Sequence, residues 1–272
     1  MFRSCALLMF SLILTGCVAM EPAIPGSGKL VTENRKAGEF TKLEVAIPTR
    51  LVVKKGAEPS IELAIDDNLQ SLVTTEIKDG VLVVRSEKNI APHSETTLTI
   101  VTPALSSVQT AGSVEGSIEE LTGPETNLAI AGSGELTVGL ASESFSGSVA
   151  GAGTVVLTGS CKKLVLVTSG SGDWDSVAVP AEDVEVRIAG SGSSKVNASS
   201  MLSLNIAGSG DVQYAGQPEI KKSIAGSGSV EPIKAANPSK PADGTQSTTP
   251  AEATSGKADP EKAQSEPDKD AK

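Results

Sequence analysis

Apolar and polar residues alternate in short bursts along most of this chain, and each burst runs into a glycine. "LAIAGSGELTV", from Leu128 to Val138, is one such unit. "SVAGAGTVVL", "LVTSGSGDWDS", "VRIAGSGSSKV", "NIAGSGDVQY" and "KSIAGSGSVEP" repeat it. The first glycine of each turn stands at 112, 132, 151, 170, 190, 208 and 226, so the unit recurs every 18 to 20 residues. Two positions before that glycine stand Thr110, Ile130, Val149, Thr168, Ile188, Ile206 and Ile224. Six before it stand Ser106, Thr126, Phe145, Leu164, Val184, Leu202 and Ile220. Alternation with a period of two predicts a strand with one buried face. Four positions after the glycine stand Leu136, Val155, Trp174, Ser194, Val212 and Val230, which predicts a second strand beyond each corner.

Two strands and their corners in about 19 residues make one coil of a repeat architecture. The expected fold is all-β: a parallel β-solenoid, with coils about 4.8 Å apart and equivalent residues stacked on one another. The corner glycines Gly132, Gly134, Gly151, Gly153, Gly170, Gly172, Gly190, Gly192, Gly208, Gly210, Gly226 and Gly228 are then structural. They permit a positive φ, or an approach of backbone that a Cβ would block. The serines beside them, such as Ser171, Ser191 and Ser209, would form a polar ladder. Stacking also sets sizes: Trp174 needs small neighbours and has Val155 below and Ser194 above, while Tyr214 pairs with Val196.

Residues 26–102 lack this period. They read as alternating strands, "KLEVAI", "RLVVKK", "SIELAI", "GVLVVRS" and "TTLTIVT", punctuated by the turn "KDG" at Lys78 to Gly80 and by Pro48, Pro59 and Pro103. They are expected to be wider N-terminal coils of the same stack, with its cap. At the far end Lys222 and Pro232 enter apolar ranks, as expected of a terminal coil that must not recruit another chain.

The first residues carry a different signal. Arg3 precedes the apolar run "ALLMFSLIL", too short to span a bilayer and suited to a secretory signal. It ends in "LTGC", Leu14 to Cys17, which resembles the lipid-attachment box of bacterial lipoproteins. Residues 1–16 are therefore expected to be a signal peptide, Cys17 the lipidated residue, and 17–25 a tether. Several acyl chains would anchor firmly, since each buried CH₂ contributes about 0.8 kcal/mol. Val18 stands where inner-membrane retention would favour Asp, so the outer membrane is expected if the source is Gram-negative. With Cys5 removed and Cys17 acylated, Cys161 has no partner within the chain and is expected to be an isolated surface or corner thiol. The solenoid domain is expected over 26–236. Residues 237–272 hold no Val, Ile, Leu or aromatic residue and are expected to be disordered.

The stretch "GSGKLVTENRKAGEFTKLEV" (Gly26 to Val45) resembles the opening of the DUF2807 family, the auto-transporter adhesin head GIN domain. So do "DDNLQSLVTTEIKDGVLVVRS" (Asp66 to Ser86), "TIVTPALSSVQTAGS" (Thr99 to Ser113) and the recurrent "AGSGD". The resemblance covers about Gly26 to Ile233 and implies a right-handed parallel β-helix in a bacterial envelope protein, often a lipoprotein. It is similar also to the wider "toastrack" group associated with envelope stress. It brings no catalytic residues. Val114 and Ala152 depart from the turn pattern.

The chemistry suggested by the glycines is otherwise thin. A phosphate cradle needs a glycine loop that opens a helix, and here each loop leads into a strand. Calcium-binding repeats would place an aspartate in every turn, whereas the residue after the corner is Glu135, Thr154, Asp173, Ser193, Asp211 and Ser229 in turn. "GSGDWD" reads as a solvated corner, and Asp211 as a solubilising residue. The only histidine, His93, excludes a multi-histidine metal site and reads as a surface residue. Paired carboxylates for sugar cleavage could arise only by assembly in space, as with Asp183 or Glu185 beside the next coil. A net charge of −10 argues against nucleic acid as a partner. No enzyme, cofactor or metal is expected. The reading is a lipid-anchored adhesin-like module whose partner would be a glycan, peptidoglycan or another envelope protein. The alternatives are a structural or regulatory envelope-stress module and, third, a polysaccharide-cleaving β-helix.

Overall fold

The register of the strand ladders follows the sequence repeat. In the computed structural model, which describes residues 22–233, Ser144–Gly151 pairs in parallel with Lys163–Gly170. That segment pairs in parallel with Asp183–Gly190, and Met201–Gly208 and Glu219–Gly226 follow. On the far side of the corners Val155 lies beside Trp174, Trp174 beside Ser194, Ser194 beside Val212 and Val212 beside Val230. Most of the predicted inward positions are buried, with Leu128, Ile130, Leu164, Leu166, Val184, Val186, Ile188, Leu202, Leu204 and Ile206 all at or below 3% exposure, whereas Ser106 and Ile220 are half-buried and Ile224 is exposed. The described chain is all-β apart from one short 3₁₀ turn, Gln70–Leu72. Parallel ladders stepping by one repeat are consistent with a β-helix.

The corners explain their glycines. Gly190 has φ 139°, and a Cβ built on it would overlap the carbonyl oxygen of Gly170 and lie 2.9 Å from that carbonyl's carbon. That oxygen is in use, because it accepts the Ser191 amide at 2.9 Å. The ladder at the corner is thus one of backbone: Ser171, Ser209 and Ser227 likewise donate their amides to Gly151, Gly190 and Gly208. At the positions expected to form a serine ladder, the bonds shown are made by the serine amides. The glycine must leave the space its predecessor's carbonyl occupies.

The aromatic pair also follows from stacking. Trp174 is 2% exposed and donates its indole N–H to Thr168 Oγ1 at 3.1 Å. Phe145 meets it edge-on, with ring centroids 6.4 Å apart and planes at 78°. The room comes from small neighbours. Ser194 sits beside the ring in the next coil, and its buried hydroxyl has no hydrogen-bond partner, so its size is what serves here. Gly147 interrupts an inward rank, and a Cβ there would collide with the edge of the Trp174 ring. Tyr214 lies beside Val196, as its position implies.

The N-terminal region departs from a simple succession of coils. Lys42–Ala46 and Thr49–Lys55 form one coil that pairs in parallel with Ser107–Thr110 and Val114–Ile118. Its other edge is covered by Val81–Ser86 and Thr97–Thr102, which come later in the chain. Order in space is therefore reversed relative to order in sequence. Beyond that outer coil the strands turn antiparallel. Val73–Lys78 folds back on Val81–Ser86 through a two-residue turn with Asp79 at φ 53° and Gly80 at φ 74°. Positive φ at both positions matches the twist of a hairpin. Ser60–Asp66 runs antiparallel to the outer coil, and Leu30–Arg35 is antiparallel to Ser60–Asp66. The reversal ends the parallel stack in a strand, "LVTENR", whose polar and charged residues discourage further pairing.

A buried carboxylate fastens this cap. Asp66 accepts the Ser94 hydroxyl at 2.6 Å, the His93 amide at 2.7 Å and the Ser94 amide at 3.2 Å. The Ser94 hydroxyl, aided by these amides and that of Gly28, holds its pKa below the ordinary 3.8 against the opposing effect of burial. Because the folded value is the lower one, its stabilisation is complete above the unfolded value and is lost as pH falls through the folded value. Asp66→Asn is therefore expected to lower the urea midpoint at pH 7. It should also flatten the loss of stability below about pH 4. Parallel urea titrations at pH 7 and pH 3 check this; an unchanged difference between the two would refute the assignment.

Candidate functional site

Outward side chains stack into columns because inward ones do. One face carries the column Lys42, Ser107, Asn127, Ser146, Val165, Glu185, Ser203 and Lys221. Beside it runs the column Glu44, Gln109, Ala129, Ser148, Val167, Arg187, Asn205 and Ser223. In the three coils from Ser107 to Ala150 the outward positions hold short polar residues and alanines. Shallow hollows open there, lined by Lys42, Ser107, Gln109, Asn127, Ser146 and Ser148. Lys42 and Glu44 bound this floor below and Val165 and Val167 above, with the Glu185–Arg187 ion pair, 2.6 Å, one coil further on. The floor offers hydroxyl and amide groups at a spacing of about 4.8 Å per coil.

The second face carries the residues that follow the corners, and here acid and serine alternate for a reason. Asp173 Oδ1 accepts the Ser193 amide at 2.7 Å and the Ser193 hydroxyl at 2.6 Å. Asp211 does the same for Ser229, at 3.0 and 2.7 Å. Each aspartate bonds the coil after it. The Ser229 bonds hold the Asp211 carboxyl below its ordinary value. Asp211, expected only to solubilise, also ties two coils together. The carboxylates of "GSGDWD" are likewise engaged, since Asp175 Oδ1 accepts the Val177 amide at 3.3 Å.

The two carboxylates singled out for sugar cleavage do not pair across coils. Asp183 is flanked by Lys163 and Met201, and Glu185 by Val165 and Ser203, so neither meets a second carboxylate in the adjacent coil. Within the described residues no three of His, Cys, Asp and Glu come together as metal ligands. None of the corner glycines opens a helix: Gly170, Gly190, Gly208 and Gly226 end strands, and Gly132 and Gly151 lie within the extended segment Ser107–Ser160. His93 is exposed, and its backbone amide rather than its ring is engaged, by Asp66.

Cys161 lies at a corner as expected but is buried, at 5% exposure. Its thiol donates to the Lys163 carbonyl at 2.9 Å, and burial pushes its pKa up, which suppresses the reactive thiolate. Its neighbours in sequence, Ser160 and Lys162, are exposed, and that polar setting hid the burial. The Asp66 lock was also invisible in the sequence, since its partners lie 27 and 28 residues away. Cys17 and the tail beyond residue 233 lie outside the described residues.

An all-β repeat protein with polar ladders on its faces is the class these features define. The family model described as "Putative auto-transporter adhesin, head GIN domain" (DUF2807) matches residues 39–218. The chain belongs to that family. Crystal structures with the same fold include a "putative adhesin" from Bacteroides fragilis, at 24% identity and TM-score 0.71, covering 78% of this chain and 100% of that one. A "putative lipid binding protein" from Parabacteroides distasonis matches at 24% identity and TM-score 0.64 over the same shares. A "putative adhesin" from Parabacteroides merdae matches at 20% identity and TM-score 0.58, over 78% of this chain and 99% of that one. No curated protein matches the chain.

Proposed function

We propose that the chain is a non-enzymatic envelope lipoprotein, anchored in the outer membrane through Cys17. In this reading its right-handed parallel β-helix acts as an adhesive surface. The observation that carries the reading is the floor of Ser107, Gln109, Asn127, Ser146 and Ser148, repeated coil upon coil and open along its length. A hydroxyl- and amide-lined strip favours an extended, polyhydroxylated partner, so a surface glycan or peptidoglycan is the first choice and another envelope protein the second. Many weak contacts along one strip add through effective concentration. The family membership, with its adhesin description, supports the same reading.

The test uses beads coated with the chain, presented to immobilised glycans and to purified cell wall. Binding is expected, and Asn127→Arg with Ser148→Arg, which fills the floor with charge and bulk, is expected to reduce it at least tenfold. In cells, Cys17→Ser is expected to move the chain out of the membrane fraction. Binding to neither material, or binding indifferent to the paired arginines, would overturn the adhesive role of this face.

A further inference from the structure

The two ends of the stack are finished differently. Antiparallel strands close the N-terminal end, whereas the last described coil, Glu219–Gly226 followed by Val230–Pro232, is parallel. The Ser227 amide bonds back to Gly208 and the Ile233 amide back to Tyr214. In a parallel ladder successive residues face opposite edges. The amides of Ile220, Lys222, Ile224 and Val230 therefore point away from the stack. The same residues fill the inward ranks: Ile220, Lys222, Ile224 and Val230 follow Leu202, Leu204, Ile206 and Val212. Ile224 is 37% exposed, among the few large apolar side chains that are. Such an edge, with apolar side chains in line, is a template for another strand.

Residues 234–272 contain no Val, Ile, Leu or aromatic side chain to set against these apolar ranks. The occupant whose shape and register fit is the same end of a second copy, meeting it about a twofold axis. Two residues oppose that contact. Lys222 stands in the middle of the longer edge strand, in the rank Leu204 occupies one coil earlier, and a twofold contact would bring two Lys222 ammonium groups together in an apolar layer. Like charges directly opposed across strands are destabilising. Pro232 falls on the second edge strand where an outward N–H would stand, next to Tyr214, and it supplies none.

We propose that the last coil is a latent self-association surface, and that Lys222 and Pro232 keep a second copy of this chain from docking on it. This surface is independent of the adhesive reading, because it lies at the end of the stack rather than on its faces.

Sedimentation velocity on the purified chain, run beside its variants, tests the proposal. The unaltered chain is expected to sediment as a monomer from micromolar to tens of micromolar. Lys222→Val with Pro232→Val is expected to shift to dimer over that range, at least tenfold tighter than any association of the parent. Adding Ile224→Lys to the pair should restore the monomer, which locates the contact. Lys222→Met keeps the stem and removes only the charge, so it should give a smaller shift of the same sign even if the paired variant folds poorly. A Lys222→Met chain with an unchanged circular dichroism spectrum and no added association would overturn the proposal. So would a parent chain already dimeric through this end, as judged by dissociation on Ile224→Lys.

Discussion

Gly190→Ala is expected to destabilise the chain by about 3 kcal/mol, while Gly153→Ala in an equivalent turn should change stability by less than about 1 kcal/mol. Both are corner glycines of the same repeat, and both replacements add one methyl group. At Gly190 the new carbon would overlap the Gly170 carbonyl oxygen, and φ is 139°, where an L side chain is strained. The coils would have to separate locally, weakening the bond from the Ser191 amide to that carbonyl. An overpacked contact typically costs about 1–3 kcal/mol, and the strained φ adds a comparable amount. At Gly153 the nearest atoms to a built Cβ lie at 3.5 and 3.6 Å, ordinary contact distances. Urea unfolding followed by circular dichroism measures both. Equal midpoints for the two variants would show that the corner tolerates side chains and that the carbonyl stack is not the reason for its glycines.

Trp174→Ala is expected to cost about 3–5 kcal/mol, the usual range for emptying a buried aromatic site. The ring fills a space that Ser194 and Gly147 leave open, and neither can expand to refill it. Loss of the indole also strands the Thr168 hydroxyl, which is 1% exposed. Trp174 is the only tryptophan in the chain, so its emission in the parent protein should be that of a water-shielded indole. Gly147→Ala supplies the reciprocal test. It should destabilise the parent strongly but a Trp174→Leu background much less, giving a coupling of about 1 kcal/mol or more in a double-mutant cycle. Additive effects would separate the two sites.

These positions also show where the sequence was legible. The spacing of Gly132, Gly151, Gly170, Gly190, Gly208 and Gly226 fixed the length of each coil. The alternation before them, Ile130 through Ile224, marked which side chains turn inward. The small residue beside Trp174 is legible in the repeat itself, because parallel stacking turns a sequence offset of one coil into direct contact. Chemical use was harder to read. Asp211 and Asp173 looked like solvated corners, since nothing local shows that the serine 18 or 20 residues on donates two bonds to each. Cys161, between exposed neighbours, gave no sign of the burial it has. The polar floor from Ser107 to Ser148 is visible only once the columns are in register.

By itself the sequence determined the strands, the inward ranks, the corner positions and the family resemblance. Each of these depends on periodicity or on short-range order, and both are written locally in the chain. Only the tertiary structure decided the N-terminal arrangement, in which the coil built from Lys42–Lys55 lies inside one that comes later in the chain. It also decided the antiparallel closure beyond that coil and the Asp66 lock. The alternating pattern of a strand says which face is buried but not which neighbour it meets or in which direction that neighbour runs. The partner is chosen by the combined packing and hydrogen bonding of segments tens of residues apart.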